Sequence, residues 1–550
     1  MNVKKLLAIF LAASMILVGC SSNNEETTSS DSKENTSGFN SKYINLTMVK
    51  PTTINPVLNT DKSVGYVMNL IYDGLFTIDQ DYNVVPQLAK EYSLSADGKS
   101  MNIKLKDAKW HSGNDVTSSD VMYTIGLIQK NTTSPYNAFT ENIDSVNITN
   151  SKEFTINFKE SYAFSKDTLI FPIVYKDSLS NKSDSEILEN DNNLIGNGPY
   201  KIEKMEDREG MTLVVNQDYY DELSDTMKDI HVSIVPTEEE QVSMVMALES
   251  DMANISLGDL SQFYEDEFNI TNYEGRDYES IIFNYDNKYL NDNNFRKAIA
   301  YAIDRNLILE EGYIDNAKLV NFPLNTMSKY YDSELKALAY NKTKAEEYLK
   351  KINPNISEKT TEKDSNNVEQ ATTENNTSEN KIEKTNLTSQ ELKSLLSDIN
   401  LKIIVNKDNE ERTKAASIVS DNLSDIGIKT TIEALTSEEM TTALNNKDYD
   451  LAFIGWELSS IPDARSIIEA SGYSDEKLTA YMESLAIATS DSKISEIYSA
   501  IQKHIRDKVA FISLVIRNEY LVTNERLEGK TQPNDFDAYE GIANLTIKGK

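Results

Sequence analysis

One cysteine in 550 residues leaves no partner for an internal disulfide, so the folded part of this chain stands without one. Histidine is nearly as scarce. His111, His231 and His504 are scattered, with no cysteine beside them and no metal-ligand spacing. Each reads as structural or solvated, and no cofactor or metal is expected. Basic residues are outnumbered by acidic ones, 55 against 88, for a formal net charge of −33. Nucleic-acid binding needs a basic footprint and is disfavoured. The acidity reads as solubility and repulsion from anionic surfaces. No nucleophile elbow, His-Glu-x-x-His motif or usable triad occurs, and nothing singles out two of the many carboxylates as a catalytic pair. An enzyme is therefore not expected. Internal repeats, which a surface adhesin would usually show, are also lacking. Past the N-terminus no apolar run is long enough to cross a bilayer.

What is present begins with Lys4 and Lys5, followed by the mostly apolar stretch Leu6 to Leu17. A spanning helix needs about 20 apolar residues, so this stretch reads as the core of a secretory signal. It ends in Leu17-Val18-Gly19-Cys20, the pattern of a bacterial lipoprotein cleavage site. The small Gly19 admits a peptidase, and the Cys20 thiol can carry a lipid. Residues 1–19 are expected to be the leader, and 20–42, rich in Ser, Asn, Thr and Glu, a flexible tether. The expected location is the outer face of the cell membrane, held by lipid.

Further on, strands alternate with helices. Strands are expected at 43–50, 88–94, 100–105, 154–158, 211–216, 229–234, 401–406, 429–433 and 450–455. Helices are expected at 64–76, 117–129, 238–249, 295–309 and 411–426. Hydrophobic residues make up 39% of the chain, enough for sizeable cores. The class is α/β with mixed sheets. Residues 353–390 are rich in Glu, Thr, Asn, Ser and Lys and read as a disordered insertion within a domain.

Several segments resemble the peptide, dipeptide and nickel-binding branch of the bacterial extracellular solute-binding proteins, family 5. They are Ile54-Asn55-Pro56, Leu70-Ile71-Tyr72-Asp73-Gly74-Leu75, Val85-Pro86-Gln87-Leu88-Ala89 and Lys109-Trp110-His111-Ser112-Gly113. Further along come Gly196-Asn197-Gly198-Pro199-Tyr200, Ala302-Ile303-Asp304-Arg305, and Gly455-Trp456 with Pro462-Asp463. Each is weak alone; their order and spacing over some five hundred residues carry the likeness.

The resemblance implies a two-lobed fold that closes on its ligand, with an additional small domain. The first lobe is expected at 43–73, 190–276 and 508–550, the small domain at 74–189, and the second lobe at 277–507. It also implies a monomer that captures a peptide and passes it to the permease of an ABC importer. A peptide-signal receptor, or a binder of another polar solute such as a nickel complex or a sugar, are the alternatives on the same fold. Thr60, Asp61 and Lys62 are expected to border the cleft from the first lobe. Tyr136 is expected on the small domain, Tyr278 near the hinge, and Gly455, Trp456 and the residues after them on the second lobe. From composition alone Trp456 reads equally as a core residue at a strand end, and 29 tyrosines make a chance surface Tyr136 or Tyr278 common.

One position departs from the pattern. Many oligopeptide-binding relatives carry an aspartate three residues after the cavity tryptophan, which pairs with the ligand's ammonium. Here that residue is Ser459. Either Glu457, Asp463 or Asp61 supplies the counter-charge, or the amino terminus is left unfixed. The reading leans to the second, because Ser459 leaves space and its hydroxyl can still bond a backbone group.

Overall fold

The computed structural model describes residues 42–188, 194–206, 209–264, 267–353 and 386–548. Cys20, the leader and nearly all of the tether lie outside the described residues, as does most of the 353–390 insertion. The architecture is two-lobed and mixed α/β, built on three main sheets.

The first sheet has four strands, in the order Ile44–Val49, Ile230–Val235, Gly210–Val215, Tyr200–Glu206. Its founding strand is buried on both faces. Ile44, Leu46 and Met48 enter the apolar core. On the other face, the Asn45 side-chain amide donates to Asp251 at 3.3 Å, and Gln241 donates to the Thr47 hydroxyl at 3.2 Å. Buried polar groups are tolerable because they are paired. The Gly196–Gly198 pair is dictated by a close approach: a Cβ at either position would meet the Ile71 carbonyl oxygen, at 2.0 and 2.8 Å. The same oxygen accepts the N–H groups of Asn197 and Gly198.

A second sheet is antiparallel, in the order Ala89–Leu94, Ser100–Leu105, Glu153–Phe158, Ile143–Asn150. Alternation along it sends Met101, Ile103, Leu105, Phe154, Ile156 and Phe158 into one core. The helix Ser118–Lys130 lies over this core, started by Asp120, which accepts the Thr117 N–H at 2.8 Å. An arm after Phe158 reaches the second lobe. Phe164 is fully buried there among Phe322, Tyr330 and Tyr498.

The third sheet has seven strands and joins the two lobes. Phe268–Phe283 and Ile512–Asn524 run antiparallel through it. At one end they meet Met252–Ile255; at the other Phe268–Phe283 pairs with Leu451–Glu457, which continues to Asn400–Asn406 and Lys429–Leu435. Their mutual register breaks between Glu274 and Ser280. Arg276 emerges at that break.

Three expected helices are shorter than their apolar spacing suggested, among them the one at 238–249, which spans Glu238–Met246. The one expected at 64–76 spans Lys62–Asn69; past its end the Leu70 carbonyl accepts the Tyr200 N–H and the Ile71 carbonyl those of Asn197 and Gly198, so neither is left for a further helical turn. The one expected at 295–309 ends at Ala302, because Asp304 caps a new turn by accepting the N–H groups of Asn306 and Leu307. The far end of the insertion also differs from its reading. Leu387 is buried in the second-lobe core, and Thr388 and Glu391 form a capping box for the helix Ser389–Ser397. The polar composition hid a cap and a single anchoring leucine.

Candidate functional site

A cavity of about 840 Å³ opens between the first lobe, the small sheet and the rim of the second lobe. Its floor is set by the helix Lys62–Asn69. Asp61 caps this helix, its carboxylate accepting from the Val64 N–H at 3.0 Å and the Ser63 hydroxyl at 2.9 Å. Val64, Val67 and Met68 face the first-lobe core. Lys62, Tyr66 and Asn69, at the i, i+4, i+7 positions of another face, hold the turn Asn534–Asp537. Lys62 pairs with Asp535. Tyr66 donates to the Asp535 carbonyl at 3.4 Å and Asn69 to the Phe536 carbonyl at 3.0 Å. A C-terminal segment is thereby brought to the cavity wall.

Two cations and six carboxylates line the cavity. Both cations are engaged. Arg276 pairs with Asp535 and Glu457, donates to the Leu458 carbonyl at 3.0 Å, and lies 4.5 Å over the Phe536 ring. Asp535, 4% exposed in its side chain, therefore sits between Lys62 and Arg276 and ties the hinge break to the first lobe. Asp73 accepts from Gln87 at 2.7 Å, Tyr219 at 3.0 Å and Tyr220 at 2.6 Å. Burial pushes its carboxyl up to about 7, against the pull of the two phenols. Asp537 is pushed up to about 8, by burial first and by the nearby Glu540 second.

The residues expected at the cleft divide into two groups. Thr60, Asp61, Lys62, Tyr136, Glu457 and Ser459 line the cavity. Tyr136 stands on the small-sheet side against Phe139 and Phe171, and burial raises its phenol to about 12. Tyr278, Gly455, Trp456 and Asp463 are not among the residues lining this cavity. Tyr278 is 0% exposed and bonds Ser513 at 2.7 Å. Trp456 lies across the strand pair from Tyr278 and packs on the same cluster, with Val320, Leu458 and Ile516. Its indole nitrogen is buried and has no partner among the described residues. Gly455 faces Glu279 across the strands, and its missing side chain is the channel through which Arg412 reaches that carboxylate. Asp463 is held by Arg465 at 2.6 Å and by the Tyr162 hydroxyl at 2.9 Å, joining the second lobe to the arm of the small sheet.

Among the described residues no group of three or more His, Cys, Asp or Glu side chains is disposed to hold a metal, and no helix is long and apolar enough to cross a membrane. The family model described as bacterial extracellular solute-binding proteins, family 5 Middle, matches residues 83–477. The chain belongs to this family. Across 98% of its length it is 23% identical to the oligopeptide-binding protein AppA of Bacillus subtilis, covering 96% of that protein. It is 24% identical to the dipeptide-binding protein DppE of the same organism over 58% of its length and 62% of DppE. Among solved structures, the ABC transporter substrate-binding protein CtaP of Listeria monocytogenes superposes with a TM-score of 0.70 at 20% identity. That match covers 92% of this chain and 99% of CtaP. HbpA2 of Haemophilus parasuis gives a TM-score of 0.72 at 18% identity, covering 92% of this chain and all of the other.

As a family 5 solute-binding protein, the chain has three cavity features that its sequence did not announce. Arg276 lies in a long strand whose register break cannot be read from residue types. The turn Asn534–Glu540 is far in sequence from every other wall. Tyr219 and Tyr220 are two of 29 tyrosines. The Asn-Asp-Phe-Asp run at 534–537 was the available signal, since Asn and Asp favour turns.

Proposed function

We propose that this family 5 protein captures peptides in the cavity above the helix Lys62–Asn69 and delivers them to an ABC importer. The observation that carries the reading is a cavity walled from both lobes and the small sheet, in a chain alike over nearly its whole length to an oligopeptide-binding protein. Its volume of about 840 Å³ lies in the range of roughly 300–1,000 Å³ usual for ligand sites. A ligand touching Tyr136 on one side and Ser459 on the other favours closure, because only the closed state contacts it from both. Peptides suit such a site because their shared backbone donors and acceptors give affinity without reading each side chain. Lipid on Cys20 would keep the monomer beside its permease.

Two experiments test this reading. Native mass spectrometry of protein purified without denaturant should reveal bound peptides; a sugar or metal complex in their place would refute the peptide ligand. Cys20→Ala should move the protein from the membrane fraction to the soluble one without changing its melting temperature. Unchanged membrane association would refute the anchor.

A further inference from the structure

The missing aspartate at Ser459 raises the question of which group faces a cationic ligand. The three nearest candidates are committed: Glu457 to Arg276, Asp463 to Arg465 and Tyr162, and Asp61 to capping its helix. Of the other carboxylates in the cavity wall, Asp535 neutralises Lys62 and Arg276, and Asp73 is filled by three donors. Asp537 and Glu540 remain, with no cation against either among the described residues. Asp537 accepts the Tyr539 N–H at 2.9 Å. A carboxylate has about four acceptor sites, so capacity is left over.

A second, independent observation lies in the same turn. Asn534 lines the cavity and is 1% exposed. Its Oδ1 accepts the N–H groups of Phe536 and Asp537, at 2.9 and 3.0 Å, but its Nδ2 has no partner. A buried donor left unmade costs free energy that a ligand acceptor would restore. The turn therefore offers an uncommitted carboxyl and an unpaired amide donor on two of its residues. An ammonium followed by a carbonyl, the amino end of a peptide, is their complement.

We propose that the turn Asn534–Glu540 is the subsite for a cationic group of the peptide, with Asp537 as its counter-charge. The inference rests on the peptide reading above, and it replaces the unfixed amino terminus to which the sequence leaned. The raised carboxyl of Asp537 fits a site in which the missing charge arrives with the ligand. The cation is the terminal ammonium or a Lys or Arg side chain, and the test separates them.

Protein stripped of co-purified ligand is equilibrated with a random pentapeptide mixture, and retained peptides are quantified by mass spectrometry. A parallel mixture is N-acetylated. Wild type should retain free-amine peptides. Asp537→Asn should lower that retention tenfold or more at an unchanged melting temperature, and Glu540→Gln, at an exposed position, twofold or more. Loss of all acetylated peptides assigns the terminal ammonium; survival of only those with Lys or Arg assigns the side chain. Retention of acetylated peptides lacking both residues would overturn the subsite. So would wild-type retention in both variants, or in Glu540→Gln should Asp537→Asn not fold. No peptide retained by wild type would overturn the peptide reading, and the subsite with it.

Discussion

Gly455→Ala tests whether the glycine of the Gly-Trp pair serves the fold or the ligand. A Cβ at 455 would lie 1.6 Å from Arg412 Nη2 and 3.1 Å from Glu279 Oε1. The guanidinium is the end of a flexible side chain and can retreat, so the alanine fits only if the ion pair is given up. That pair is two-pronged: Arg412 Nε lies 2.6 Å and Nη2 3.0 Å from the Glu279 oxygens, and the Glu279 side chain is 3% exposed. Breaking a buried pair by removing one partner costs roughly 3–5 kcal/mol. Here Arg517 stays 3.7 Å from Glu279, and Arg412 can turn toward water, so the low end applies, about 3 kcal/mol. The unfolding entropy of a unit of about 500 residues is roughly 1 kcal/mol per degree, so the melting temperature should fall by about 3 °C. Burial already raises the Glu279 carboxyl against the pull of Arg412; without that arginine it should rise further, and the variant should lose more stability as pH rises above the carboxylate range. Calorimetry of Gly455→Ala, alone and in an Arg412→Met, Glu279→Gln background, reads the coupling. If alanine costs as much in that background, the glycine does not exist for the pair and the reasoning is wrong.

Three further outcomes are expected. Asp535→Asn removes the one anion between Lys62 and Arg276; it should cost about 2 kcal/mol in urea unfolding and weaken peptide retention by detaching the Asn534–Asp537 turn from its helix. Deleting 358–383 should change stability by less than about 0.5 kcal/mol, whereas extending the deletion through Thr388 should cost about 3 kcal/mol, from the buried Leu387 and the lost cap. Binding of a free-amine peptide should tighten as pH rises toward about 8, since Asp537 must ionise to meet an ammonium, and calorimetry in two buffers should detect the released proton. The charged groups sharing the cavity wall with Asp537 are Asp61, Asp73, Asp535, Glu457, Glu540, Lys62 and Arg276, and pH-independent binding in Asp537→Asn would assign the effect to Asp537 rather than to them.

Local signals carried far in this chain. The strand at Ile44–Val49, the alternation of Met101, Ile103 and Leu105, and the helix begun at Thr117 were legible because period and capping chemistry are written in neighbouring residues. Helix ends were less so. The break before Asp304 and the stop at Asn69 depend on a side-chain cap and on N–H groups of the 197–200 segment that take the Leu70 and Ile71 carbonyls, and apolar spacing records neither. Leu387 escaped for a related reason: one apolar residue in a polar run carries no periodicity, yet it is buried where the chain re-enters the lobe.

Part of the cavity wall was legible in the sequence, and the pairing of its charges was not. Thr60 to Lys62, Tyr136, Glu457 and Ser459 reach the cavity because they end or begin elements whose places follow from the fold. Whether a carboxylate among them is available is a different question, decided by pairing over hundreds of residues. Glu457 looks free beside Trp456 until Arg276 is found against it, and Asp463 until Arg465 and Tyr162 are. The converse holds for Asp537, in a short C-terminal turn that its Asn-Asp-Phe-Asp run marks as a turn but not as part of the cavity. Lys62, Tyr66 and Asn69 bring that turn to the cavity, and Asp535 absorbs the two cations that would otherwise have neutralised its neighbour. A carboxylate stays unpaired in a wall because the adjacent one has taken every cation within reach, and that arrangement leaves the charge of Asp537 for a ligand to meet.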